Sequence, residues 1–440
     1  MGRSRARRAT AGALAAGVLL SGCGLVERVE TPGPGAARDT ATESPAPDAG
    51  GGGPATAPTP DATDEAPESR ESPRPSASPE STQASQEAQP ATESPRPPVS
   101  VTIAASGDIL PHVPVLNSAN RNAGGGVGKF DFAPMFADVE PLLSRADLAL
   151  CHLETPLSED NTELSERRTF IFNSPHQLAD GLRAAGYDGC DFGSNHTWDH
   201  GLAGLTSTHA VMDRAGLTLA GPAPTEESVE DVVLLAAGDA TVAHLAYTYT
   251  IRNNSDPNTT VPTEAPWLRH ALWAAVGADG IAADAERARK GGADFVVVSM
   301  HWGKEYVLEP TADQRAVAQD LLGSGAVDLI LGTHVHLVQP CETINGRHVL
   351  YGLGNSLSNQ GPAGTNLPAG TQDGVVVEAE LTRDADGTIS STLTYQPTWI
   401  DLQDHRIRLA TAQTHPESHA RTVAAMESLG EGACDAQVRE

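Results

Sequence analysis

The chain is short of positive charge, of cysteine and of long apolar runs, and each shortage removes a class of reading. Of its 440 residues, 29 are Lys or Arg against 57 Asp or Glu, a formal net charge of −28. From residue 99 onward there are 20 basic and 44 acidic residues, net −24. Nucleic-acid binding needs a basic surface, so no nucleic-acid partner is expected. An anionic polymer is likewise repelled at long range unless metal charge dominates inside a cleft. The apolar run at 9–20 is too short to span a bilayer. No GxSxG elbow, Walker loop or dinucleotide fingerprint occurs, which removes the serine hydrolase, NTPase and Rossmann readings. The five cysteines are too irregularly spaced for a zinc cluster.

What is present begins with a targeting pattern. Arg3, Arg5, Arg7 and Arg8 precede the apolar run, which ends in Leu20-Ser21-Gly22-Cys23. That ending resembles the bacterial lipoprotein lipobox. The resemblance implies that residues 1–23 are a lipoprotein signal peptide cleaved before Cys23. Acylation of the Cys23 thiol would leave the protein extracytoplasmic and lipid-anchored to the bacterial cell membrane. Residues 24–98 are Pro, Ser, Ala, Thr, Glu and Gly with almost no large apolar side chains. They cannot bury enough surface to offset ordering entropy and are expected to form a disordered tether, stiffer than a Gly/Ser linker. The other cysteines, Cys151, Cys190, Cys341 and Cys434, allow two disulfides in three connectivities. A Cys341–Cys434 bridge would pin the C-terminal residues.

The folded domain is expected over 99–405, with 406–440 a peripheral tail. Buried strands are predicted at 99–105, 147–153, 187–192, 217–220, 294–300 and 327–331. Helices are predicted at 132–145, 176–185, 201–215, 279–291 and 311–324. A hairpin at 229–250 turns at Gly238-Asp239, and late strands lie near 348–353, 374–381 and 388–399. Helices alternating with buried strands, followed by hairpins, predict an α/β sandwich with mixed sheets.

The chemistry sits at the strand ends. Taken in order they present Asp108, Glu154, Asn195-His196, His301, and the pair His334 and His336 of Gly332-Thr333-His334-Val335-His336. Two histidines two residues apart at a strand mouth point to the same side. Singly, each is explained by a turn, a helix cap or a satisfied core histidine. Five strand ends that each deliver an oxygen donor or an imidazole form the pattern of a metal centre at the C-terminal edge of a sheet.

Order and identity together carry a family resemblance. SGDIL (106–110), HLETPLS (152–158), FNSP (172–175), GSNHTWDHG (193–201), HWGKEY (301–306), GTHVHLVQP (332–340) and YGLGN (351–355) resemble the CapA family across roughly 100–360. These are capsule and poly-γ-glutamate synthesis proteins related to calcineurin-like metallophosphoesterases. The resemblance implies a four-layer α-β-β-α sandwich of the metallophosphoesterase type. It implies one or two divalent ions (Mn, Fe, Zn or Mg), with Glu154 as the bridging carboxylate. Asn195, His301 and His334 would complete one metal; Asp108 and His336 would hold the other. His196 would protonate a leaving oxygen or stabilise the charged transition state.

Other residues fall close to these positions. Asp199 would orient His196 or cap the helix that starts near Gly201, and Glu305 is a candidate general base. Trp302, Lys304, Tyr306 and Asn355 are expected to line the cleft. One departure matters: where metallophosphoesterases place a histidine two after the first aspartate, this chain has Leu110, with His112 four residues on. His336's metal is therefore expected to be short of a ligand. Glu154 also replaces the phosphatase aspartate, which changes the metal spacing.

The function implied is capsule or poly-γ-glutamate (or related envelope polymer) synthesis, export or processing, beside a capsule-synthesis membrane complex. The chemistry would be metal-dependent hydrolysis or transfer at a polymer amide. A metallophosphoesterase on envelope phosphoesters and a non-catalytic polymer-binding or export module are the alternatives.

Overall fold

Side-chain alternation along the buried strands builds the layers. In the strand Leu148–Leu153, Leu148 and Leu150 face one side while Ala149, Cys151 and Leu153 face the other. In Phe295–His301, Phe295 and Val297 face the partner sheet, and Val296, Val298 and Met300 face helices. Both faces are apolar, so each sheet must be covered on both sides. The computed structural model describes residues 97–439 apart from 168 and 254–256. The expected signal segment with Cys23, and nearly all of the expected tether, lie outside the described residues.

The first sheet has nine strands. Its main path runs Arg406–Leu409, Ile389–Asp401, Asp373–Arg383, Val99–Ile109, Leu148–Leu153, Gly189–Asp191 and Thr218–Ala220. Asn355–Leu357 adds in parallel to the end of Val99–Ile109. The second sheet has six strands, ordered Cys341–Ile344, Arg347–Leu350, Leu329–Thr333, Phe295–His301, Ala240–Thr248 and Val233–Ala237. Between the sheets lie Ile103, Leu150, Val242, Val297, Leu331 and Val377. Helices Gln177–Ala184 and Gly201–Arg214 cover the outer face of the first sheet with Leu178, Leu182, Leu205 and Met212. Helices Trp273–Lys290 and Ala312–Gly323 cover the second with Ile281, Ala285, Ala318 and Leu321. The result is the expected α/β sandwich, layered α-β-β-α. None of the described helices is long and apolar enough to cross a membrane.

Three expectations are corrected. The helix read over 132–145 is two short helices, Ala133–Phe136 and Glu140–Leu143. Pro134 and Pro141 each lack the N–H needed to continue a helical ladder and so start new turns. The helix read at 279–291 begins at Trp273, with Gly277 at φ 68° breaking its first turns. Residues 406–440, read as a tail, are part of the fold. Arg406–Leu409 and Gln437–Val438 both pair with Ile389–Asp401. The helix Pro416–Met426 buries Ala425 and Met426 against the inter-sheet core.

Disulfides join Cys151 to Cys190 and Cys341 to Cys434. The second ties the C-terminal residues to the edge hairpin Cys341–Ile344/Arg347–Leu350, whose Asn345-Gly346 turn has positive φ at both residues. Replacing both Cys341 and Cys434 by Ala is expected to cost about 2–4 kcal/mol, because the bridge closes a long loop. Urea unfolding under oxidising conditions checks this; an unchanged midpoint would contradict it.

Candidate metal centre

A β-bulge aims the first acidic residue. Ser106 pairs with Cys151 and Asp108 with His152, so Gly107 is an extra residue in the strand. Ser106 faces the outer helices, where its Oγ meets the Tyr187 hydroxyl at 2.6 Å. Strict alternation would send Asp108 the same way; the bulge turns it between the sheets. Gly107 must be glycine because a Cβ there would lie 1.9 Å from the Gly354 carbonyl oxygen. A Cβ at Gly332 would similarly lie 2.1 Å from the Tyr351 oxygen. The segment 351–354 thus passes from the second sheet to the first through gaps that only glycine leaves, and it delivers Asn355.

At the centre is Glu154, fully buried one residue beyond the strand Leu148–Leu153. Around it stand the imidazoles of His336, His301 and His334. His336 Nδ1 lies 2.9 Å from Asp108 Oδ2 and 3.1 Å from Asn355 Oδ1, both acceptors. Nδ1 therefore carries a proton and donates, and Nε2 points at Glu154, 3.7 Å from Oε1. His301 meets Thr333 Oγ1 through Nδ1 at 3.1 Å and Asn195 Oδ1 through Nε2 at 3.1 Å. The His334 backbone N–H donates to Asp108 Oδ1 at 3.3 Å, and its ring packs on Tyr249 and His301. His334 and His336 both adopt positive φ, 92° and 56°, a conformation costing about 1–3 kcal/mol each and typical of functional sites. His196 Nδ1 donates to Asp199 Oδ2 at 2.8 Å, and that carboxylate also accepts the Phe172 N–H at 2.7 Å.

Burial and neighbouring charge set the protonation states. Burial, aided by Asp108, pushes the Glu154 carboxyl up to about 7 against the pull of nearby imidazoles. Burial opposes charge on His336, but Glu154 and Asp108 outweigh it and raise the ring to about 9. Burial also opposes charge on His152, but Asp191, Asp108 and Glu154 lift it to about 9. His301 and His334 are held well below the usual histidine range by burial and by the other imidazoles. They are neutral, the form that ligates metals.

The donor set fits a metal. Both oxygens of Glu154, Nδ1 of His334 and Nε2 of His152 are buried without a hydrogen-bond partner. Such orphans are rare because each forfeits its hydration. One ligand atom from each of Asp108, His152 and Glu154 falls within 4.8 Å of the others. A divalent cation would supply the partner these atoms lack.

Residues 102–360 match the family described as bacterial capsule synthesis protein PGA_cap. The chain belongs to that family. Capsule biosynthesis protein CapA of Bacillus anthracis is 26% identical over 237 residues, 53% of this chain and 56% of that relative. PGA biosynthesis protein CapA of Bacillus subtilis (strain 168) is 23% identical over 271 residues, 59% of this chain and 64% of that relative. The chain thus spans less than two thirds of the length of either. Among solved structures, calcineurin-like phosphoesterase YfkN from Bacillus subtilis aligns at 16% identity and TM-score 0.39, covering 74% of this chain and 98% of that one. A likeness at that score adds no weight.

Within this PGA_cap domain the structure brings together Asp108, Glu154, Asn195, His301, His334 and His336, with His196 and Asp199 beside them. Asn355 holds His336 rather than opening on the cleft: its Nδ2 donates to Gln360 Oε1 and Thr371 O. Tyr306 does line the site, its ring 5.8 Å from His336 and its hydroxyl accepting from Gln360. Trp302 does not. Alternation sends it to the face opposite His301, where it is buried against Tyr351 beneath the helices. Lys304 and Glu305 are exposed on the following turn, outside the buried cluster.

Sequence reading missed His152 and Asp191. The signal was parity: His152 shares the inward face of Leu148 and Leu150 and lies two residues before Glu154.

The folded-state pKa values of Glu154, His152 and His336 all lie above their ordinary ones. The metal-free fold therefore holds these protons more tightly than the unfolded chain. The histidine contribution is complete below about pH 6.5 and is lost as pH rises through about 9; that of Glu154 is complete below about pH 4.5 and lost through about 7. The urea midpoint of chelator-treated protein should fall steadily from pH 6.5 to 9. A flat profile over that window would count against these environments.

Proposed function

We propose that the protein is a metal-dependent hydrolase or transferase acting at amide bonds of poly-γ-glutamate or a related envelope polymer. It would serve capsule synthesis, export or processing, held outside the cell membrane by a lipid on Cys23. One observation carries the metal reading: a buried carboxylate, Glu154, with neither oxygen partnered, surrounded by imidazoles with free nitrogens. Family membership supports the polymer.

Glu154 would lie between two ions, with Asn195, His301 and His334 on one side and Asp108 and His336 on the other. When bound, such ions supply Lewis-acid polarisation of the scissile group and a water acidified toward neutrality. The chain supplies the rest. Asp108 and Asn355 fix His336 in one tautomer, and Thr333 restrains His301. Asp199 accepts a hydrogen bond from Nδ1–H of His196, leaving Nε2 to deliver or accept a proton at the leaving group. Asp199 also accepts the Phe172 N–H, which ties the acid's orienting carboxylate to the loop wall.

Metal analysis of the wild type should find divalent ion, and Glu154→Ala and His334→Ala should lose it. His196→Ala should keep its metal while cleavage or transfer of γ-glutamyl polymer falls about 10²–10⁴-fold. Turnover of aryl phosphates without action on the polymer would instead favour a phosphoesterase. Metal loss that leaves polymer output intact would favour a non-catalytic module. Cys23→Ala should move the protein from the membrane to the soluble fraction.

A further inference from the structure

We propose that His152 is a metal ligand in this chain, standing in for the histidine that Leu110 displaces, with Asp191 as the carboxylate that fixes it. The inference rests on the metal reading above and adds a ligand residue to it. Leu110 is buried and offers no donor. On the neighbouring strand, the residue in register with Asp108 is His152. Its Nδ1 lies 2.7 Å from Asp191 Oδ1 and donates to it, so Nε2 is the nitrogen a metal would take, displacing any proton held there.

That Nε2 is buried without a partner. Its ring stacks on His301 at 4.7 Å and 27°, which fixes the plane. A histidine whose second nitrogen is held by a carboxylate is the usual construction of a protein metal ligand. His112 competes less well: its ring packs edge-on against Phe172, and it is not among the ligand atoms of Asp108, His152 and Glu154 that lie within 4.8 Å of one another.

With His152 included, one ion would draw on Asp108, Glu154, His152 and His336 and the other on Glu154, Asn195, His301 and His334; ligand atoms of Asp108, His152 and Glu154 already lie within 4.8 Å of one another. Each set holds two imidazoles and two oxygen donors. Magnesium prefers an all-oxygen shell with several waters, whereas imidazole suits first-row transition ions. Two imidazoles per ion would suit a first-row transition ion better than Mg²⁺.

The test is titration of the metal-free, full-length protein with Mn²⁺ alone, counting free ions by electron paramagnetic resonance. Wild type should take two ions per chain and show a spin-coupled signal that excess Mg²⁺ does not remove. His152→Phe keeps the ring and its stack, and should retain one ion with an uncoupled spectrum. Asp191→Asn should weaken one of the two ions about 10–100-fold.

Two coupled ions at wild-type affinity in folded His152→Phe would overturn the inference and leave the metal reading standing. No binding by wild type would end both. Should His152→Phe fail to fold by circular dichroism, the Asp191→Asn titration decides, with unchanged affinity counting against the proposal.

Discussion

A carboxylate buried at the middle of the sandwich with neither oxygen hydrogen-bonded is the constraint on which the rest of the structure depends. An isolated charge in such a place is costly, and Glu154 is tolerable only because the surrounding groups share protons or a cation with it. The bulge at Gly107 turns Asp108 toward it. The turn carrying His334 and His336 accepts two unfavourable backbone conformations to present both rings. Val335, between them, is wholly buried and closely approached by Gly303 and Gly352, so core packing holds the strained turn in place.

The layered architecture was legible because buried strands and amphipathic helices carry different apolar periods. The ends of the strands were legible too, since function collects at that edge. What escaped notice did so for identifiable reasons. Pro134 and Pro141 interrupt a helical apolar pattern without erasing it. The last 35 residues have few large apolar side chains, and a disulfide and pairing with the strand Ile389–Asp401 do much of the holding. His152 lies inside its strand rather than at its end, and only face parity marks it.

Asp108 and Trp302 show the limits of parity in opposite directions. Strict alternation along Val99–Ile109 would have pointed Asp108 away from the site, and a one-residue bulge reverses that. In HWGKEY, closeness in sequence to His301 suggested a cleft position for Trp302, where alternation correctly places it in the opposite layer. The YGLGN segment gains a physical reason of its own. Its glycines and those at 107 and 332 let one backbone thread past two others, and Asn355 arrives at His336 as the result.

The direction of the strand Val99–Ile109 has a mechanical consequence. It enters at Val99 and reaches the reactive residues only at its far end, roughly 35 Å away for an extended strand of 11 residues. Asp373–Arg383 flanks it antiparallel and Leu148–Leu153 flanks it parallel. Tension applied through the preceding chain would load both hydrogen-bond ladders along their length, in shear, and not open them one rung at a time. A pull from that side would thus enter the strand at the pole opposite the reactive cluster and be shared along both ladders before it reaches Asp108.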